Sequence, residues 1–258
     1  MKRTNQLIIV IISIVLPGFV AAQLKCACKF KDSIIADYKN FYSSNNLWNF
    51  ALVIGFAGFY ANTSFDQEIQ NMYVTSIKNS TTDDISKIVK QFGNGRITVP
   101  VYLSAALIGE LTKDTKLGST IGEWGQRCSR SLLVGAPPVL TLQVVLGASR
   151  PEEEKGSKWH PFKDNNGVSG HSFMGAVPFL TTAKMTNNPF LKYSLYLGST
   201  FTGISRINDN KHYFSQVILG WWIAYWAVNS MDWNKSGQLA LMPLVSCKSN
   251  GIGIKFYF

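Results

Sequence analysis

Ser205-Arg206-Ile207-Asn208-Asp209-Asn210-Lys211-His212, followed by the apolar run from Tyr213 to Met231, is the stretch from which the rest of the chain is best read. The run is too long for a strand, and short polar side chains precede it. It therefore predicts a helix with Asn208 or Asp209 as its N-cap and His212 in its first turn. At that end the helix dipole opposes protonation of an imidazole, which keeps it nucleophilic. Gln216 stands one turn later on the same face, so its amide reaches one ring nitrogen of His212 and leaves the other free to attack.

Upstream, residues 150–170 (RPEEEKGSKWHPFKDNNGVSG) are charged, punctuated by Pro, Gly and Asn, and without a sustained period. They read as a loop. Helical patterns flank it, at Pro100 to Leu111, at Ser119 to Ser149 with an interruption at Pro137-Pro138, at His171 to Met185 and at Pro189 to Gly203. Further back, Leu47 to Ala61 reads as a buried helix. Residues 67–92 read as amphipathic helices broken at Asn79 to Asp84, and Gly93-Asn94-Gly95 as a turn. At the other end, Leu239 to Cys247 and Ile252 to Phe258 flank Lys248-Ser249-Asn250-Gly251, a hairpin pattern. The expected fold is an all-α helical bundle with a short C-terminal β-hairpin. Its expected divisions are a signal peptide (1–22), N-terminal helices packed on the core (23–92), the core (93–236) and the hairpin (237–258), in one globular unit.

The start of the chain, Met1-Lys2-Arg3, an apolar run from Leu7 to Val20 and then Ala21-Ala22-Gln23, has the layout of a secretory signal cleaved after Ala22. An exported, periplasmic or envelope protein is expected. Of the 258 residues 46% are hydrophobic and 16% charged, which excludes a disordered chain. The formal charge is +10, and the loss of Lys2 and Arg3 with the signal leaves the chain basic. Export argues against nucleic acid as the partner of that charge and leaves phosphorylated substrates or a membrane surface. The apolar helices carry polar or Pro positions and are read as core helices rather than spans. Cys26, Cys28, Cys128 and Cys247 all follow the signal, so disulfides are expected, with three pairings open. Their spacing does not suit a zinc site.

Three histidines are present, and His160 lies in the polar loop without a partner pattern; it is expected to be dispensable. Val168-Ser169-Gly170-His171-Ser172 stands where that loop becomes a helix, so first-turn N–H groups and Ser hydroxyls converge as they do on bound anions. Arg150 and Arg206 supply guanidinium forks suited to phosphate oxygens.

Arg150-Pro151, Ser169-Gly170-His171 and Ser205-Arg206 followed after five residues by His212 stand in this order. The set resembles the type-two phosphatidic acid phosphatases, bacterial class A acid phosphatases and vanadium-dependent haloperoxidases. Their signature is Lys, six residues, Arg-Pro; then Pro-Ser-Gly-His; then Ser-Arg, five residues, His, three residues, Asp. The resemblance spans roughly residues 93–230. It implies a helical bundle and an exported, metal-independent phosphatase acting on phosphomonoesters or lipid phosphates. His212 would form a phosphohistidine, His171 would protonate the leaving group, and Gln216 would orient His212. Gln143, Arg150, Ser169, Gly170 and Arg206 would bind phosphate. No cofactor or metal is implied, vanadate belonging only to the haloperoxidase alternative.

Three positions depart from the signature: Gln143 replaces Lys, Val168 replaces Pro and Gln216 replaces Asp. Nearby Lys211, Lys155 or Lys158 are candidates for the missing charge, and Gln216→Asp is expected to preserve or modestly raise activity unless the local hydrogen bonds are built around the neutral amide. Gln143 and Gln216 also leave open a catalytically weakened envelope protein that binds phosphate or lipid. Gln143 argues against the haloperoxidase.

Overall fold

Helix α7 (Gly170–Met185) lies at the centre of the bundle, packed between α6 (Lys116–Leu142) and α10 (Phe214–Asn229). Phe173, Val177 and Leu180 of α7 meet Leu219, Ile223 and Ala227 of α10 and Val134 of α6, all buried. Burial of each large side chain contributes about 1.5–3 kcal/mol relative to exposure. These contacts fix the end of the bundle where α7 and α10 both begin. The computed structural model describes residues 32–112, 114–231, 238–246 and 249–257. The expected signal peptide, Cys26, Cys28 and Cys247 lie outside the described residues.

A first helix, α1 (32–41), precedes the first helix expected from the sequence. Asp37 on it accepts a two-pronged hydrogen bond from Arg130 of α6, at 2.9 and 2.7 Å, with both side chains almost fully buried. A buried charge needs such a partner, so the pair fixes where α1 sits. Helix α2 (Ser44–Asn62) follows, its Phe50 ring edge-on to Trp226 of α10 at 5.1 Å.

Leu47 to Ala61, expected to be buried, is helical but largely exposed. Only Ala57 and Ala61 are fully buried, whereas Leu47, Trp48, Leu52, Phe56 and Phe59 face outward. A helix apolar on every side gives no sign in its sequence of which side meets the core.

Helices α3 (Phe65–Ser76) and α4 (Ser80–Val89) break at Ile77 to Asn79. There Asn79 accepts from Thr82 N while Thr82 Oγ1 accepts from Asn79 N, a capping box. A 3-10 turn (Lys90–Gly93) leads to α5 (Gly95–Leu111), capped by Asn94. Pro137 and Pro138 do not interrupt α6, which runs through both and ends in a π-helical turn, Gln143–Gly147. The loop before α7 contains the 3-10 turn Pro151–Glu153 and an isolated bridge between Trp159 and Ala148. The pattern read as one helix from Pro189 to Gly203 is two, α8 (Pro189–Gly198) and α9 (Phe201–Asn208).

The C-terminal segment forms two antiparallel strands, β1 (Gln238–Ser246) and β2 (Ser249–Tyr257), with Gln238 opposite Tyr257 and Ser246 opposite Ser249. Asn250 and Gly251, read as turn residues, pair with Val245 and Leu244. Cys128 is a free thiol buried in the core, which leaves three cysteines and room for at most one disulfide within the chain. Two disulfides are therefore not formed. The small side chain serves as packing in α6.

Candidate active site

The two helix starts are tied to each other by backbone and hydroxyl groups. Ser169 N donates to Gln216 O at 2.9 Å, and Ser172 Oγ donates to Val217 O at 2.9 Å. Gly220 makes this approach sterically feasible, since a Cβ there would stand 2.3 Å from Ser169 O. Ser169 is the N-cap of α7, its hydroxyl accepting from Ser172 N at 3.3 Å. Gly170 and His171 thus occupy the first turn, with unpaired N–H groups of the kind that hold anions.

His212 does not lie inside the last helix. Asn208 closes α9 and donates to Asp83 at 2.7 Å, Asp209 is that helix's C-cap, and Tyr213 is the N-cap of α10. The chain turns back through Asn210 in a left-handed conformation (φ 54°), and Lys211 N and His212 N both donate to Arg206 O, at 2.9 and 3.2 Å. This turn delivers the imidazole to Gln216, with His212 Nδ1 2.7 Å from Gln216 Oε1.

The amide orientation follows from its other partners. Gln216 Nε2 donates to Ser149 O at 2.7 Å, and Oε1 also accepts from Tyr213 N at 3.2 Å. The oxygen must therefore face His212, which places the proton on Nδ1 and the lone pair on Nε2. Burial pushes the pKa of His212 down to about 3, reinforced by the Arg206 and Arg150 charges and opposed by the Gln216 hydrogen bond. The ring is neutral across the physiological range.

His171 is half-buried. Its pKa is lowered first by burial and then by Arg206, Arg150 and Lys90, against Asp209, which raises it. Both arginine charges act on both histidines. Arg206, nearly buried, pairs through Nη1 with Asp209 Oδ2 at 3.2 Å, while its Nε is buried without a hydrogen-bond partner. An unsatisfied buried guanidinium nitrogen costs stability unless something else accepts from it. Arg150 is more exposed and is aimed by Asn166, whose Oδ1 accepts from Nε at 2.9 Å; its Nη1 lies 3.4 Å from Glu152. Gln143 stands beside the start of α7, donating through Nε2 to Val168 O at 3.0 Å. A Cβ at Gly170 would lie 3.3 Å from that same nitrogen.

Two of the lysines that the sequence offered for the missing charge, Lys211 and Lys155, are held in ion pairs. Lys211 pairs with Glu152, and Lys155 with Glu153 and Asp164 at 3.5 and 3.8 Å. His160 is exposed; its backbone N–H donates to Gly147 O at 2.7 Å. Sequence reasoning did not foresee Asn166, Asp209, Ser149 or Asp66. Asp66 of α3 accepts from Ser215 N at 3.0 Å, capping α10 from outside. Asp209, three residues after Arg206, was the one with a local signal, an i,i+3 ion pair.

Arg150, Ser169, Gly170, His171, Arg206, His212 and Gln216 thus converge from three segments distant in sequence. Residues 137–234 match the PAP2 superfamily. The match covers all of these residues and points to phosphatase or phosphoesterase chemistry on a phosphorylated substrate. The PAP2 segment includes α7 to α10 and the π-helical turn bearing Gln143, but none of α1 to α5. No curated protein and no solved structure matches the chain.

Proposed function

We propose that this protein is a phosphatase that hydrolyses phosphomonoesters or lipid phosphates through a phosphohistidine at His212, without a metal. The observation that carries this reading is the His212–Gln216–Ser149 chain of hydrogen bonds, which leaves a neutral Nε2 with its lone pair available. His212 Nε2 attacks phosphorus, the bond from phosphorus to the leaving oxygen breaks, and His171 passes its proton to that oxygen. Water then attacks the phosphohistidine, His171 takes up its proton, and inorganic phosphate leaves with His212 restored. Arg206 Nε, Arg150, the Ser169 hydroxyl and the Gly170 N–H stabilise charge on the equatorial oxygens. Gln143 contributes at most the second hydrogen of its amide.

His171 must be protonated to act as the acid. The cations around it oppose this in the free site, and a bound dianionic phosphoryl group offsets them, so substrate raises its pKa. Acid catalysis is thereby coupled to substrate binding.

Exposed apolar side chains favour a membrane-associated form and hence lipid phosphates among the substrates. Trp48 and Leu52 on α2, Val101, Ile108 and Leu111 on α5, and Phe190, Tyr193 and Leu197 on α8 all face outward. α6 with its π-helical turn, Lys116–Gly147, is long and apolar enough to cross a bilayer. Export to the periplasm or envelope rests on the sequence of residues 1–22.

The test is phosphate release from an aryl phosphate and from short-chain phosphatidic acid, with chelator and with vanadate. Turnover that survives chelation, is blocked by vanadate and disappears in His212→Ala is expected. Loss on chelation that a divalent ion reverses, or turnover retained by His212→Ala, would refute the proposal.

A further inference from the structure

We propose that Lys90, in the turn before α5, contacts the substrate phosphate and supplies the cation that Gln143 does not. The proposal rests on the phosphatase reading and extends it to a residue outside the segment that matches PAP2.

Three observations place Lys90 there. Its Nζ lies 3.1 Å from Asp209 Oδ2, the same oxygen that Arg206 Nη1 approaches at 3.2 Å. The two cationic nitrogens therefore flank one atom. Asp209 cannot swing away, because its other oxygen accepts from Ser86 Oγ at 2.6 Å.

The turn carrying Lys90 is also seated on the start of α7. A Cβ at Gly93 would stand 2.6 Å from His171 O and 3.0 Å from His171 Cα, so only glycine permits the contact. In keeping with that placement, the positive charge of Lys90 is among those that lower the His171 pKa.

Finally, Lys90 can still donate. An ammonium has three N–H groups, the ion pair with Asp209 engages one, and the side chain remains 34% exposed. Lys155 is paired with Glu153 and Asp164, and Lys211 with Glu152, whose other cationic partner is the more exposed Arg150 rather than Arg206. An arriving phosphate would share Lys90 and Arg206 with Asp209, two adjacent cations opposite one dianion.

A structural ion pair is the competing account, and Asp209 separates the two. In the full chain, affinity for inorganic phosphate is measured by calorimetry and by product inhibition for the parent, Lys90→Met, Lys90→Arg and Asp209→Asn. Lys90→Met should weaken phosphate binding about tenfold and raise KM more than it lowers kcat, as loss of one charge-assisted hydrogen bond implies. Lys90→Arg should restore most of the affinity. Asp209→Asn frees both cations and should hold phosphate as tightly as the parent or more so, whereas a structural pair predicts that it fails together with Lys90→Met. Equal losses in Lys90→Met and Asp209→Asn, or binding within twofold of the parent in Lys90→Met, would overturn the assignment. A parent that binds phosphate without turnover sinks the catalytic reading alone, and the affinities still judge Lys90. A parent that binds no phosphate overturns both.

Discussion

Gln216 holds His212 through its oxygen and Ser149 through its nitrogen, each at 2.7 Å, with the amide fully buried between them. A carboxylate cannot fill both roles. Placed here, it would set a negative oxygen against the Ser149 carbonyl, and Asp would also be one methylene too short to span the gap. The exception to the expected effect of Gln216→Asp therefore applies, since the local hydrogen bonds are built around the neutral amide. Gln216→Asp and Gln216→Glu should both lower the melting temperature, the cost of an unmatched buried acceptor being about 1–3 kcal/mol. Gln216→Leu, which releases the ring, should slow turnover about 10- to 100-fold with a smaller effect on KM. Thermal unfolding and steady-state kinetics of the three variants check this, and a Glu variant as stable and active as the parent would show that the amide orientation is misassigned.

Much of this site was legible in the sequence because its parts are local. The spacing from Arg206 to His212 to Gln216 and the Ser169 cap before His171 are separations along one stretch of chain, and a helical period converts them into geometry. The helix start was placed too early because Asn208 and Asp209 look like N-caps, whereas they close α9, and the N–H groups at the start of α10 are taken by Gln216, reaching back to Tyr213 N, and by Asp66. Partners recruited across the fold left no such trace. Nothing near Asp66 announces that it caps α10, and nothing near Lys90 announces Asp209. The outward faces of α2 and α5 were invisible for a related reason, since apolar composition states that a side is dry without stating what covers it.

Arg206 and Arg150 differ in burial, and their variants should differ accordingly. Arg206 is nearly buried, is held by Asp209 and keeps an unpartnered Nε, whereas Arg150 is more exposed and is aimed by Asn166. Arg206→Lys retains the charge but loses the fork, and kcat/KM should fall about 100-fold, as when one fixed donor to a developing oxyanion is removed. Asn166→Ala should act through Arg150, raising KM a few-fold while Arg206-dependent vanadate inhibition persists. Kinetics that rank Asn166→Ala as the more damaging change would reverse this order.

The pH profile of kcat/KM should have its alkaline limb set by His171. The acid must carry its proton, and burial with the Arg206, Arg150 and Lys90 charges lowers its pKa, so activity declines below the pH at which an ordinary histidine loses its proton. His212, neutral down to about pH 3, does not limit the acid side in the range where the fold survives. Arg206→Gln removes a positive charge from beside His171 and should move the alkaline limb to higher pH even as the rate falls. A limb that stays in place would mean that another group is the acid.

Asp66 and His212 give stability opposite pH dependences, and this separates them. The His212 pKa is depressed in the fold, so its stabilising contribution is present above the ordinary histidine value, about 6.5, and is lost as the pH falls toward 3. Asp66 is raised to about 6, chiefly by burial and against its hydrogen bonds from Ser215, so its contribution is present below the usual carboxylate range and is lost as the pH rises through 6. Asp66→Asn keeps an acceptor for Ser215 N and carries no charge to bury. It should leave stability near pH 4 almost unchanged and raise it at pH 7, whereas Asp66→Ala, which also removes an acceptor at the start of α10, should be about 1 kcal/mol less stable than Asp66→Asn at both. Melting temperatures of the parent and the two variants between pH 4 and 8 decide the matter. If Asp66→Asn is as destabilising at pH 7 as Asp66→Ala, the carboxylate is stabilised by the start of α10 and its pKa is not raised.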